Sequence, residues 1–165
     1  TIFQCPFDGR IEPAEVVRVA RALLDMGCYE VSLGDTTGVG TPSDVRKLLD
    51  AVVPELGTEP IALHLHDTWG MAIANAMTGL EYGVSHFDAS AGGLGGCPFA
   101  KGASGNLATE DLLYMLKGLG YETGVALDVV AEASEALAGE LDHPLSSRVH
   151  AALMAQRADD GGDVC

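Results

Sequence analysis

Apolar and polar positions along the chain alternate between two periods. An apolar, strand-like stretch over residues 1–5 is closed by the turn signal Pro6-Phe7-Asp8-Gly9. Val16, Val19, Ala20, Leu23 and Leu24 then recur at helical spacing and predict a helix over about 13–26, with Pro13 in its first turn and Gly27 as its stop. Tyr29 to Leu33 reads as a second strand, ending at Gly34-Asp35-Thr36. Thr41-Pro42 starts a helix that carries Val45, Leu48, Leu49 and Val52. Ile61 to His66 is a third strand, followed by a helix to about Tyr82 that stops at Gly83. Val84 to Ala89 is a fourth strand and opens into the glycine-rich stretch 92–105. A helix over 107–117 follows, ending at Gly118, and 125–157 reads as further helix.

Four strand–helix units in series predict an α/β fold with a parallel sheet. Two of them share an echo: Asp35-Thr36-Thr37-Gly38 and Asp67-Thr68-Trp69-Gly70 lie 32 residues apart, each where a strand ends and a helix is about to begin. Parallel sheets carry their sites at the carboxyl ends of the strands. The pattern fits a small open α/β domain or half of an eight-stranded barrel. An apolar start without an initiator Met favours the half barrel, cut from something longer. Residues 1–157 are expected to form one domain, and 158–165 a polar, disordered tail.

Composition narrows the function classes. The chain has 165 residues, nine Lys and Arg against 24 Asp and Glu, and a formal charge of −15. It has no basic run, which argues against nucleic-acid and anionic-membrane partners. An anionic ligand would have to be held locally. Cys5, Cys28, Cys97 and Cys165 form no C-x-x-C pair, and with no signal peptide or long apolar run the simplest compartment is a reducing cytoplasm.

The strongest local chemistry lies in Ile61-Ala62-Leu63-His64-Leu65-His66-Asp67. Side chains alternate across a strand, so Ala62, His64 and His66 share one face. Two imidazoles at i and i+2 can reach one divalent cation, the alternative being two hydrogen-bonded core histidines. Asp35 ends the neighbouring strand at the same level and is either a turn residue or a carboxylate that orients or deprotonates substrate. Asp67 has the same two readings, with a further option of holding a histidine tautomer. In Gly92-Gly93-Leu94-Gly95-Gly96-Cys97-Pro98-Phe99, Cys97 is either incidental or a reactive thiol carried by a closing loop. Asn106 precedes a helix and reads as its N-cap. His86, His143 and His150 read as ordinary surface or packing residues.

Together, several segments resemble the 3-hydroxy-3-methylglutaryl-CoA lyase family. Ser90-Ala91-Gly92-Gly93-Leu94-Gly95-Gly96-Cys97-Pro98-Phe99 is similar to its signature loop, and Gly102-Ala103-Ser104-Gly105-Asn106-Leu107-Ala108-Thr109-Glu110-Asp111 continues the match. So do Gly27-Cys28-Tyr29-Glu30, Ser32-Leu33-Gly34-Asp35-Thr36 and His64-Leu65-His66-Asp67-Thr68. The resemblance implies a partial TIM barrel, approximately strands five to eight, plus C-terminal helices. It implies cleavage of an acyl-CoA substrate to acetyl-CoA and acetoacetate with Mg²⁺ or Mn²⁺. It makes His64, His66 and Asn106 metal ligands, Cys97 the catalytic thiol, and Asp35 an active-site aspartate. His64 or Asp35 would take the substrate's hydroxyl proton. The family's first-strand Arg-Asp pair and a later Glu have no counterpart here, so this piece is expected to be inactive alone and to form a homo-oligomer only as part of the full-length enzyme. A related metal-dependent aldolase or acyl-CoA condensing enzyme, or an inactive fragment, are the alternatives. No role is assigned to Cys165.

Overall fold

A computed structural model describes residues 1–96 and 105–160. Cys97 and Cys165 therefore lie outside the described residues. The chain divides into two compact units: Thr1–Asp88 with the described part of 95–107, and Ala89–Leu94 with the described part of 108–165.

The first unit begins with a two-stranded antiparallel hairpin, β1 (Gln4–Cys5) and β2 (Gly9–Arg10). This corrects the expectation that 1–5 is the first parallel strand. Pro6-Phe7-Asp8-Gly9, with Gly9 at φ 82°, folds the chain back after two residues, leaving too little extended backbone for a ladder. Ile2 and Phe3 are buried all the same, and the Ile2 N–H donates to the Gly34 carbonyl at 3.0 Å. Helix α1 (Pro13–Asp25) buries Val16 and Ala20. It ends in a Schellman motif: Cys28 N–H bonds Leu23 O and Gly27 N–H bonds Leu24 O, with Gly27 at φ 97°.

A three-stranded parallel sheet follows, in the order β3 (Val31–Asp35), β4 (Ile61–Leu65), β5 (His86–Asp88). Val31, Leu33, Ile61, Leu63 and Leu65 are buried on one face. The register Ser32↔Ala62↔His86 and Gly34↔His64↔Asp88 puts the polar residues together on the other. Helix α2 (Pro42–Leu56) opens with a capping box, in which the Thr41 hydroxyl accepts from Asp44 N–H and the Asp44 carboxylate accepts from Thr41 N–H. It buries Val45, Leu48, Leu49 and Val52, the stripe expected from sequence. Helix α3 (Ala72–Glu81) packs beside α2 and repeats the α1 ending at Gly83.

The second unit carries a 3₁₀ turn at Ala91–Gly93, then α4 (Thr109–Gly118), α5 (Leu127–Ala138) and α6 (Arg148–Asp160). Helix α4 runs through Gly118, and the left-handed stop is Gly120 instead, at φ 83°. Helix α6 extends to Asp160, so the first residues of the tail expected over 158–165 are helical. The Glu110 carboxylate is fully buried and accepts Gly92 N–H through both oxygens, at 3.0 and 2.9 Å, and the Ser134 hydroxyl. No described helix is long and apolar enough to cross a membrane.

Candidate metal centre

The site is built at the carboxyl end of β4. Strand alternation points His64 and His66 to the polar face, where their Nε2 atoms stand 3.2 Å apart. Two nitrogens held cis at about 2.1 Å from one octahedral ion stand about 3.0 Å apart, so the pair fits a shared cation. The ring planes are tilted by 55°.

The protons on these rings follow from their surroundings. His64 Nδ1 faces Asp88 Oδ2 at 3.4 Å, which favours a proton on that nitrogen. His66 Nδ1 is buried without a hydrogen-bond partner among the described residues; an N–H there would be an unsatisfied donor. His66 therefore carries its proton on Nε2 and donates it to His64 Nε2. To hold a cation together with His64, His66 would need its other neutral form, with the proton on Nδ1 and Nε2 free to ligate. Burial, and secondarily the neighbouring His64, holds the His66 pKa below the usual histidine value. The ring thus stays neutral, the form that ligates, to a lower pH than an exposed histidine would.

Asn106 is not the N-cap of α4, which is Ala108. It lies opposite His66 in an isolated antiparallel bridge. Leu107 N–H bonds Leu65 O at 2.8 Å and Asp67 N–H bonds Gly105 O at 3.1 Å. These bonds flank the pair, which is the arrangement that brings opposed side chains closest on one face. A Cβ on Gly95, at φ 111°, would run into Asn106 Nδ2. Gly95 thus sets its bare backbone against this amide, and its left-handed φ favours glycine there.

Asp35 is fully buried and sits on the opposite sheet face from His64. Its Oδ2 accepts Gly40 N–H at 2.9 Å, and its Oδ1 has no hydrogen-bond partner among the described residues. Burial raises its pKa despite lowering contributions from the Gly40, Gly38 and Val39 N–H groups. This geometry is that of a turn clamp, and its described contacts do not join it to the histidines. Asp67 Oδ1 accepts Ala72 N–H at 2.8 Å and so caps α3. The carboxylate beside His64 is Asp88, which sequence reading passed over. The available signal was His86 and Asp88 at i, i+2 on one face of a short strand, the spacing that singled out His64 and His66. No cluster of three or more His, Cys, Asp or Glu able to hold a metal is present among the described residues; the candidate donors brought together here are two imidazoles, with an amide opposite one of them.

The HMGL-like family model matches residues 1–137. A mouse protein named mitochondrial hydroxymethylglutaryl-CoA lyase is 54% identical over 145 residues, 88% of this chain and 45% of its own length. A zebrafish protein named cytoplasmic 3-hydroxy-3-methylglutaryl-CoA lyase is 52% identical, over 88% of this chain and 43% of its own. The crystal structure of hydroxymethylglutaryl-CoA lyase from Pseudomonas aeruginosa superposes with a TM-score of 0.89 at 49% identity, over 93% of this chain and 51% of that one. The chain thus spans about half the length of the relatives it matches. With the family model running across most of its residues, the chain belongs to the HMGL-like family of TIM-barrel proteins.

Proposed function

We propose that this chain is the carboxyl-terminal portion, approximately strands five to eight, of a divalent-metal-dependent lyase that cleaves 3-hydroxy-3-methylglutaryl-CoA to acetyl-CoA and acetoacetate. The observation that carries this reading is the convergence of His64 and His66 Nε2 at the end of β4, with Asn106 set beside them. The similarity to enzymes named for that substrate supports the reaction.

His64, His66 and Asn106 would hold Mg²⁺ or Mn²⁺, which when bound acidifies the substrate's tertiary hydroxyl. Of the two candidate bases, His64 stands on the polar face and Asp35 on the other, so His64 is the better placed; with a proton on Nδ1 it would accept the hydroxyl proton at Nε2, which it can do only while His66 and Asn106 hold the cation without it. The bond between C2 and C3 then breaks. Its electron pair passes to the thioester fragment, and the former hydroxyl carbon becomes the ketone of acetoacetate. Cys97, outside the described residues, would return a proton to the thioester carbon, yielding acetyl-CoA. Asp35 contributes by fixing the turn after β3. The full-length enzyme is a homo-oligomer, and its compartment is the cytoplasm, a location found in the name of one relative and not the other.

A chimera tests this reading. The matching segment of the Pseudomonas aeruginosa enzyme is replaced by this chain, and acetoacetate release from the acyl-CoA is measured with Mg²⁺ or Mn²⁺. Turnover that requires the metal, and that falls by orders of magnitude in Cys97→Ser, is expected. A folded chimera without turnover would sink the proposal, and so would one indifferent to His66→Ala. A related aldolase or condensing enzyme would instead act on a different acyl-CoA or keep its rate in Cys97→Ser.

A further inference from the structure

We infer that Asp88, tethered by Ser32, is a positioning residue for His64. This rests on the reading that His64 and His66 share a cation.

Three strands meet at this point. Ser32 on β3 and Asp88 on β5 flank β4, and the small side chain of Ala62 on the strand between them leaves the gap open. Across that gap the Ser32 hydroxyl donates to Asp88 Oδ2 at 2.6 Å. That same oxygen faces His64 Nδ1 at 3.4 Å. An imidazole on a strand end has two free torsions, and both tautomers are near equal in energy in water. A carboxylate beside Nδ1 selects the Nδ1–H tautomer and fixes the ring rotation. The Nε2 lone pair is then turned to the point shared with His66 Nε2, 3.2 Å away. The hydroxyl of Ser32 fixes the carboxylate in its turn, so the orientation passes from β3 through β5 to the middle strand. Asp67, the carboxylate adjacent in sequence, caps α3 instead. Asp88 touches neither substrate nor cation in this arrangement and acts only through the ring.

The test uses the chimera with the Pseudomonas aeruginosa enzyme described above, with far-UV circular dichroism as the check on folding. Nitrogen-15 shifts of His64 in the metal-free chimera are expected to show a protonated Nδ1 in the native sequence and a mixture of tautomers in Asp88→Asn. Mn²⁺ affinity, read from loss of the free-ion electron paramagnetic resonance signal, is expected to fall by about 10- to 100-fold in Asp88→Asn, with partial recovery in Asp88→Glu. Ser32→Ala, at an exposed position, should weaken binding less and carries the test if Asp88→Asn does not fold. Unchanged tautomer and unchanged Mn²⁺ affinity in a folded Asp88→Asn, or in Ser32→Ala where only that variant folds, would overturn the inference. His66→Ala separates the two readings. If it leaves Mn²⁺ affinity unchanged, the shared-cation reading falls, and the tautomer measurement alone decides the role of Asp88.

Discussion

The turns after β3 and β4 have nearly the same sequence and nearly the same backbone, yet they do different work. In Asp35-Thr36-Thr37-Gly38 and in Asp67-Thr68-Trp69-Gly70, the glycine N–H bonds the aspartate carbonyl, at 3.1 and 2.9 Å. Each glycine is left-handed, at φ 65° and 71°. Each aspartate also takes a backbone N–H five residues on, from Gly40 at 2.9 Å and Ala72 at 2.8 Å. The motif is therefore a local device for turning a strand into a helix. What differs is the surroundings. Asp35 is sealed inside, while Asp67 is half-buried. A Cβ on Gly38 would lie 2.9 Å from Thr68 N and 2.7 Å from Thr68 Oγ1, whereas one on Gly70 would meet nothing within 4 Å. The first turn is packed beneath the second. Identical local chemistry thus yields a structural clamp in one place and an exposed rim in the other.

The largest expected contrast comes from the glycines. Gly38→Ala adds a left-handed strain to a clash with backbone that cannot rotate away, and should cost about 3 kcal/mol. Gly70→Ala carries the strain alone, about 1 kcal/mol. Urea unfolding of both variants measures the difference. Equal costs would show that the first turn is no more tightly packed than the second.

Next in size is Asn75→Ala. Asn75 is buried, and its Nδ2 donates to Gly40 O at 2.8 Å, tying α3 to the first turn. Removing it strands a buried carbonyl and should cost about 2 kcal/mol, again read from urea midpoints. A cost near zero would mean that Gly40 finds another donor.

How much of this could be read beforehand depends on the range of the forces involved. Helix limits were legible because Pro13, Gly27, Thr41-Pro42 and Gly83 act within one turn of chain. The shared face of His64 and His66 was legible because strand period is local. The pairing of residues 1–5 was not, since a strand in a parallel ladder and a strand in a hairpin differ only in partner. Asn106 read as an N-cap because the adjacent helix was visible and the bridge to His66, 40 residues away, was not. Asp67 was favoured over Asp88 because it is next to His66 in sequence. The register that sets Asp88 beside His64 exists only once three strands pair.

A third prediction concerns charge. The folded pKa of Asp35 is raised above its unfolded value, so the folded state holds the proton to higher pH. Stability from this group is therefore greatest below about pH 4, falls as pH rises through the folded pKa, and is level above it. Asp35→Asn keeps an oxygen for Gly40 N–H but does not titrate. The stability of Asp35→Asn relative to the native chain should climb over that same window. Asp67→Asn serves as the comparison. A constant offset for Asp35→Asn between pH 4 and pH 7 would remove the buried charge from the account.

The smallest effects belong to the third position of each motif, occupied by Thr37 and Trp69. Thr37 Oγ1 is buried with no hydrogen-bond partner among the described residues. Thr37→Val replaces that hydroxyl by a methyl of similar size, removing a desolvated polar group without opening a cavity. Stability should rise by up to about 1 kcal/mol. Trp69 is 68% exposed, and a large ring left in water has little packing to lose, so Trp69→Ala should fall within about 0.5 kcal/mol of the native chain. The two substitutions run against expectation from residue type alone, by which a conservative change should be neutral and the loss of a tryptophan severe. If Trp69→Ala costs more than about 1 kcal/mol, the rim is packed as tightly as the clamp, and the contrast between the turns fails where it is weakest.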